Sequence, residues 1–420
     1  MSTLTVEHVA RIEGHGTISV EVAEGVVGEI RMDIVEPTRL FESMVVGRRF
    51  DEAPLITSRI CGICSPNHAV TSLKALEVAL DVEISERTRM LRTLLVHGSY
   101  LQNHATHLYL LAAPDYVGQP SVVPLATTHP EVVQRALSIK KLGNDLTSAV
   151  GGRPVHPITA IIGGFTSEPS KAELEALALR LHAAANDVAE TVGLFATFGV
   201  PDFQTAGEML ALKSDGEYAI YDGEVCALDA GWCRPVADYR EFVSETVVGH
   251  SNAKHSTVDG RTFMVGALPR VNLSWDRLMP SARLVASRAG LRPVSKNTFA
   301  NNLCQAIELV DAAERMALLC ERLVEDSGSS VPVPFRVHEG VGTAATEAPR
   351  GTLYHTLAID DDGFVTAGNV ITPTAQNLAN LEADMRAFAP SVASLPEEEF
   401  ILRIEQLVRA YDPCLSCAVH

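Results

Sequence analysis

Two CxxC pairs lie at opposite ends of this 420-residue chain, and they constrain its fold more than any other feature. Cys61 and Cys64 stand near the start, and Cys414 and Cys417 within a few residues of the end. Each pair sets two sulfurs close enough to ligate one ion, so together they offer four thiolates, a soft set suited to zinc, iron-sulfur or nickel. Cys64 and Cys414 are 350 residues apart (414 minus 64), whereas a double-CxxC zinc ribbon spaces its pairs by about 15 to 20 residues. A site that uses both pairs must draw the chain ends into one buried centre. The other four cysteines, Cys226, Cys233, Cys304 and Cys320, lack ligand-like spacing and read as buried small hydrophobes. Eight cysteines in this length are too few for a disulfide scaffold.

The segments between the pairs read as an α+β chain, mostly helical. Ile18, Val20 and Val22, then Ile30, Met32 and Ile34, alternate with polar residues and predict two strands turning at Ala23, Glu24 and Gly25. Beyond the first pair, Leu73, Leu76 and Leu80, then Leu91, Leu94, Leu95, Leu101 and Leu108, recur at three- and four-residue spacing and predict long core helices. Pro130 starts another helix that Gly151 can end. Ser170 with Glu173 makes a capping box ahead of Leu174, Leu177, Leu181, Val188 and Val192. EYAIYDGEV belongs to an irregular β-containing stretch. A helix is expected near Asn302 to Val324, a hairpin turning at Asp362 and Gly363, and a last helix from Glu397 to Ala410 that Pro413 stops, leaving the final cysteines in a turn. Length alone allows about three domains, yet no linker or repeat divides the chain. The expectation is one body, 1–420, with lobes at 1–58 (β-rich), 59–200 (helical core), 201–295 (β-containing insertion) and 296–420 (helix, hairpin and C-terminal turn).

A net charge of -18 is the wrong sign for gathering phosphate backbones, so nucleic acid is not an expected partner. No apolar run reaches the roughly 18 residues needed to cross a bilayer, and the N-terminus has neither a basic nor an apolar leader region. These features lead us to expect a cytoplasmic chain without direct membrane insertion.

RICGICSPNH at 59–68 and DPCLSCAVH at 412–420 closely resemble the two signature segments of nickel-iron hydrogenase large subunits. RIEGHG at 11–16, GGRPVHPITAIIGG at 151–164, EAPRGTLYH at 347–355 and ITPTAQN at 371–377 are similar to further family segments, in family order, over essentially the whole chain. The resemblance implies the large-subunit fold, with a long central helix bundle, an N-terminal β-hairpin and peripheral β segments. It also implies nickel held by Cys61, Cys64, Cys414 and Cys417, with Cys64 and Cys417 bridging to an iron that carries one carbon monoxide and two cyanides. Arg350 resembles the arginine over the open coordination position, with Asp412 as its carboxylate partner. Pro373 and Thr374 would contact the cyanides, and Arg59 and His68 would lie behind the ligands, His68 equally readable as a core or capping residue. Glu13 resembles a first proton relay that takes a proton from Cys414. Glu42 and His420, with a backbone carbonyl near Ile371, resemble ligands of a magnesium or iron ion. Where many relatives carry an aspartate facing the arginine, this chain has Asn103, which can hydrogen-bond a guanidinium but not neutralise it. His97, His104 and His107 read as helix-packing or small-subunit contacts.

The activity implied is reversible heterolytic cleavage of H2, with the Cys414 thiolate favoured over Arg350 as base because a guanidinium pKa above about 12 makes deprotonation costly. With no spare cysteine set for a cluster, an iron-sulfur small subunit is the expected electron partner. Flavin/iron-sulfur diaphorase subunits are expected beyond it, in the manner of the bidirectional NAD(P)-linked group. The alternatives are a hydrogen-sensing regulatory relative and a deazaflavin-reducing one. A non-catalytic respiratory-complex subunit of this fold would have lost the cysteines. Ending at His420, the chain resembles a mature form or one made without a C-terminal extension.

Overall fold

A computed structural model describes residues 2–6, 9–23 and 26–420, with side chains described outside 1–8 and 22–27. The expected turn at Ala23, Glu24 and Gly25 lies largely outside the described residues. The strands on either side of it are present: Gly16–Ala23 pairs antiparallel with Val26–Ile34, and Ser2–Val6 adds a third strand to that sheet. Ile18, Val20, Ile30, Met32 and Ile34 all point into the core, as period-two alternation requires.

The body is helical. Ser85 caps the Glu86–Ala105 helix by accepting from Thr88 N–H. Pro130 opens the Pro130–Gly151 helix, and Gly152, at φ 75°, ends it in the left-handed conformation glycine tolerates. These two helices cross almost in backbone contact, since a Cβ on Gly143 would lie 2.7 Å from the Gly98 carbonyl oxygen. The Ala300–Glu325 helix runs through the same core, and Lys171–Ala183, opened by the Ser170–Glu173 capping box, lies against it. Beyond Ala105 the chain continues as π-helical turns, Thr106–Ala112, rather than uninterrupted α-helix.

Sheet structure is peripheral and small, in keeping with an α+β class. The 201–295 region holds a four-stranded sheet in which Phe263–Met264 runs parallel to Glu208–Lys213, followed by Glu224–Ala227 and Cys233–Arg234. Here one expectation fails. Cys226 and Cys233 are not isolated small hydrophobes but register partners joined by a disulfide. Seven residues of chain return the second cysteine opposite the first on adjacent strands, a contact that spacing alone does not reveal. Cys304 and Cys320 are free and buried, as expected.

The expected hairpin is the strand pair Gly351–Ile359 and Val365–Ile371, turning through Gly363 at φ 80°. A third strand, Gly340–Ala348, is not foreshadowed by its sequence, because GVGTAATEA has no aromatic residue and five of its nine positions are glycine or alanine. Its small residues have a packing reason. The strand crosses the Ser65–Ala79 helix so closely that a Cβ on Gly342 would lie 1.9 Å from the Ala75 carbonyl oxygen. This sheet thereby seats the helix that follows the first CxxC. No helix among the described residues is long and apolar enough to cross a membrane.

Candidate metal centre

The two chain ends meet. Leu415 N–H donates to the Glu13 carbonyl at 2.9 Å, and Arg39 N–H to the Val419 carbonyl at 3.0 Å. At the first pair, Cys64 is the N-cap residue of the Ser65–Ala79 helix, and its N–H donates to Cys61 Sγ at 3.3 Å. The positive end of that helix therefore faces the sulfurs. At the second pair, the Glu397–Ala410 helix ends through Asp412 in the left-handed region (φ 50°) and Pro413. The chain then rewinds into one helical turn, Leu415–Ala418, that carries Cys417, where a plain turn was expected. Cys414 is its N-cap residue and donates its N–H to Thr374 Oγ1 at 3.0 Å. That bond docks the turn on the start of the Pro373–Val392 helix, whose first residue is Pro373.

All four thiols are buried. Cys61 and Cys414 Sγ stand 3.8 Å apart, and two thiolates on one tetrahedral ion at about 2.3 Å stand roughly 3.8 Å apart. Cys414 and Cys417 Sγ are 2.6 Å apart, so that pair must open to share an ion. Two donor groups, Cys61/Cys414/Cys417 and Cys64/His68/Cys417, each gather their ligand atoms within 4.8 Å, and they have Cys417 in common. Burial pushes the Cys414 and Cys417 thiols well up, while hydrogen bonds from Cys414, Cys417 and Cys64 draw Cys61 down. Ionised together, four buried thiols would require cationic compensation. A soft divalent metal would supply it, and the donor set fits one.

The fixed cation beside the thiols is Arg350, 4% exposed. Its Nε donates to the Asp412 carbonyl at 2.8 Å and to Asp412 Oδ1 at 3.1 Å, while Nη1 is buried without a partner. Burial disfavours the guanidinium charge, but Asp412 and the thiols Cys414, Cys61 and Cys64 more than offset it and hold the group above its ordinary range. Burial likewise raises the Asp412 carboxyl, yet Arg350, His107, Asn103 and Gln305 together hold it below the usual carboxylate range. Asn103 serves Asp412 rather than the arginine, Nδ2 donating to Oδ2 at 2.7 Å, beside Gln305 Nε2 at 2.9 Å.

Glu13 reaches the second pair from the N-terminal segment. Cys414 Sγ donates to its Oε2 at 3.0 Å, Ser416 N–H to the same oxygen at 3.2 Å, and Ser416 Oγ to Oε1. Glu42 Oε1 accepts from Val370 N–H at 2.8 Å and from Asn369 Nδ2 at 2.9 Å, and lies 3.9 Å from His420 Nε2. The carbonyl that His420 Nε2 meets, at 2.7 Å, is that of Val370, one residue before the expected Ile371. His68 packs behind the sulfurs, its Nδ1 3.1 Å from His355 Nε2, with Nε2 buried and unpartnered. Burial drives His68 down to about 3. Arg59 points outward and donates to the Leu55 carbonyl of its own turn, so it does not back the ligands. His97, His104 and His107 are all buried, which makes them packing residues of this chain.

Sequence reasoning missed the residues that hold this geometry. Arg39 Nη2 donates to the carbonyls of Ile60 and Ser416, stitching the two cysteine segments together. Arg270 forms a fork onto Glu308 (2.6 and 2.8 Å) and donates to Glu347 and to the carbonyls of Ala348 and Pro349, the residues just before Arg350. An arginine between apolar residues, as in ALPRVNL, was the available signal. For His355, which closes the EAPRGTLYH segment, the signal was its place within that motif.

Comparison with known proteins agrees with this geometry. A family model described as nickel-dependent hydrogenase matches residues 39–134 and 238–420. The alpha chain of sulfhydrogenase 1 from Pyrococcus furiosus is 36% identical over 99% of this chain and 97% of its own length. The beta chain of the NAD-reducing hydrogenase HoxS from Cupriavidus necator is 29% identical over 99% of this chain and 94% of its own. An F420-non-reducing hydrogenase chain from Methanothermobacter thermautotrophicus is 30% identical over 100% and 95%. Among solved structures, an NAD+-reducing NiFe hydrogenase in the H2-reduced state superposes with a TM-score of 0.89 at 29% identity, covering 100% of both chains.

Proposed function

Because the chain belongs to the nickel-dependent hydrogenase family, as a catalytic hydrogenase subunit, we propose that it carries out reversible heterolytic cleavage of H2 and passes the electrons to an iron-sulfur small subunit. The observation that carries this reading is the convergence of four buried thiols on a buried guanidinium with one nitrogen unpartnered. In this reading Cys61, Cys64, Cys414 and Cys417 hold nickel, and Cys64 and Cys417 also hold the iron with its carbon monoxide and cyanides. When bound, the metal pair supplies the polarisation that splits H2. The protein supplies the rest. Cys414 accepts the proton and Glu13 Oε2, 3.0 Å from its sulfur, carries it away. Arg350, held on one edge by Asp412, turns its free Nη1 to orient what lies over the metals. Thr374 accepts from Cys414 N–H, which leaves its own hydroxyl proton free to donate, and Thr374 and Pro373 would contact the cyanides. Glu42 and His420, with the Val370 carbonyl between them or that of Ile371, hold a magnesium or ferrous ion that steadies the C-terminal turn.

We propose NAD(P) as the final acceptor, reached through flavin and iron-sulfur diaphorase subunits in the cytoplasm. The likeness to an NAD+-reducing structure supports this, although the relatives also include sulfhydrogenase and F420-non-reducing hydrogenase chains. Infrared spectroscopy of the purified complex tests the centre: carbonyl and cyanide stretches that shift under hydrogen are expected. Metal-loaded protein without those bands would refute it.

A further inference from the structure

A second donor cluster lies farther along the Pro373–Val392 helix, on residues the hydrogen chemistry does not use. Glu382, from the middle of that helix, is 3% exposed. Its Oε1 is 2.8 Å from His250 Nε2 and accepts from Met32 N–H at 3.0 Å. His255, the first residue of the His255–Val258 strand, is 8% exposed, and its ring stands 5.5 Å from that of His250. The three side chains bring their ligand atoms within 4.8 Å of one another. His255 Nε2 is buried there with no hydrogen-bond partner.

We propose that His250, His255 and Glu382 form a binding site for a divalent transition metal, zinc by preference. A neutral imidazole has one N–H and one lone pair. The Glu382 carboxylate uses the proton of His250, but no group among the described residues takes Nε2 of His255, and a metal is the ligand that a buried imidazole beside a carboxylate accommodates. Two imidazoles and one carboxylate are a borderline donor set that favours zinc over manganese or magnesium, and three protein ligands leave a position for water. Two ligands on one tetrahedral zinc stand roughly 3.3 Å apart, so the 2.8 Å contact between His250 and Glu382 would open by a few tenths of an ångström as the imidazole proton shifts from Nε2 to Nδ1 and frees the Nε2 lone pair. The competing cation is Arg386, 3.0 Å from Glu382 Oε2 and one helical turn away. Its side chain is 48% exposed, and such a surface pair is readily given up. An ion here would tie the loop before the His255–Val258 strand to the helix that begins at the thiols and, through Met32, to the N-terminal sheet.

The test is zinc and cobalt binding by the metal-loaded enzyme, whose thiolates are already occupied. Wild type should bind one further equivalent of zinc and gain thermal stability. Cobalt in its place should give ligand-field absorption without thiolate charge transfer. His255→Gln should lose both the equivalent and the zinc-dependent rise in Tm. His250→Gln, at the more exposed ligand, repeats the test should the buried substitution fail to fold. Absence of a further equivalent in wild type, or an equivalent that survives in both variants, would overturn the site.

Discussion

At the residue scale, the site depends on groups that can each do one thing. Arg350 holds Asp412 through Nε and keeps Nη1 free, a division that a planar fork allows and a single ammonium does not. Arg350→Lys should therefore retain nickel but lose about 10²–10³-fold in hydrogen oxidation, comparable to removing one preorganised donor. Turnover equal to wild type at full nickel content would exclude the role. Glu13 accepts from Cys414 Sγ and Ser416 N–H at Oε2 and from Ser416 Oγ at Oε1, so Glu13→Gln keeps the shape and one accepting oxygen, turns the other position into a donor that the Ser416 hydroxyl can rotate to accept, and removes the ability to carry a proton. Hydrogen–deuterium exchange catalysed by that variant should fall by about 10²–10⁴-fold with metals intact. Undiminished exchange would send the proton elsewhere. Cys226 and Cys233 show what a residue-level reading cannot see. Their spacing resembles neither a ligand motif nor a disulfide framework, and only strand register makes them partners.

At the scale of elements, the helices were legible because their signals are local. Leu73, Leu76 and Leu80, the Ser170–Glu173 box, and Pro130 with Gly151 each act within a turn or two of chain, and the helices follow them, the stop falling one residue later at Gly152. The Gly340–Ala348 strand was not legible, because its glycines answer to a helix nearly 270 residues earlier. The buried links between elements were equally silent. Burial pushes the Glu308 carboxyl up, but Arg270 and His104 more than offset it and hold it at about 2 against an ordinary 4.5. A carboxyl held low stabilises the fold above its unfolded pKa and loses that contribution as pH falls through its folded value. Glu308→Gln should thus cost about 3–5 kcal/mol near pH 7, because it takes the two-pronged carboxylate from the buried Arg270 and leaves Glu347 as its remaining acidic partner. The gap between variant and wild type should close as pH falls from 4.5 toward 2. Urea denaturation across that range measures it, and a gap independent of pH would show that the pair contributes nothing as an ion pair.

For the molecule as a whole, joining the chain ends is the central act of folding. Arg39 contributes by donating at once to the Ile60 and Ser416 carbonyls, one beside each cysteine pair. Arg39→Ala should destabilise the protein by about 1.5–3 kcal/mol, the worth of hydrogen bonds to a charged group, and lower nickel occupancy. Denaturation curves and metal analysis would reveal it, and wild-type values in both would make the stitch dispensable. The sequence by itself determined that four thiols had to meet, since a CxxC at each end offers donors that one soft metal can satisfy and water cannot. It also determined most helices, and it named Glu13, Arg350 and Asp412, because ordered motifs carry that information residue by residue. What only the tertiary structure decided is the company those residues keep: Asn103 and Gln305 on Asp412, Arg270 on the carbonyls before Arg350, the Val370 carbonyl against His420 Nε2, and the disulfide. Those contacts join residues scores to hundreds of positions apart or, for the disulfide, two residues seven apart that strand register brings opposite each other. No periodicity or spacing encodes them, because they exist only once packing has chosen which faces meet.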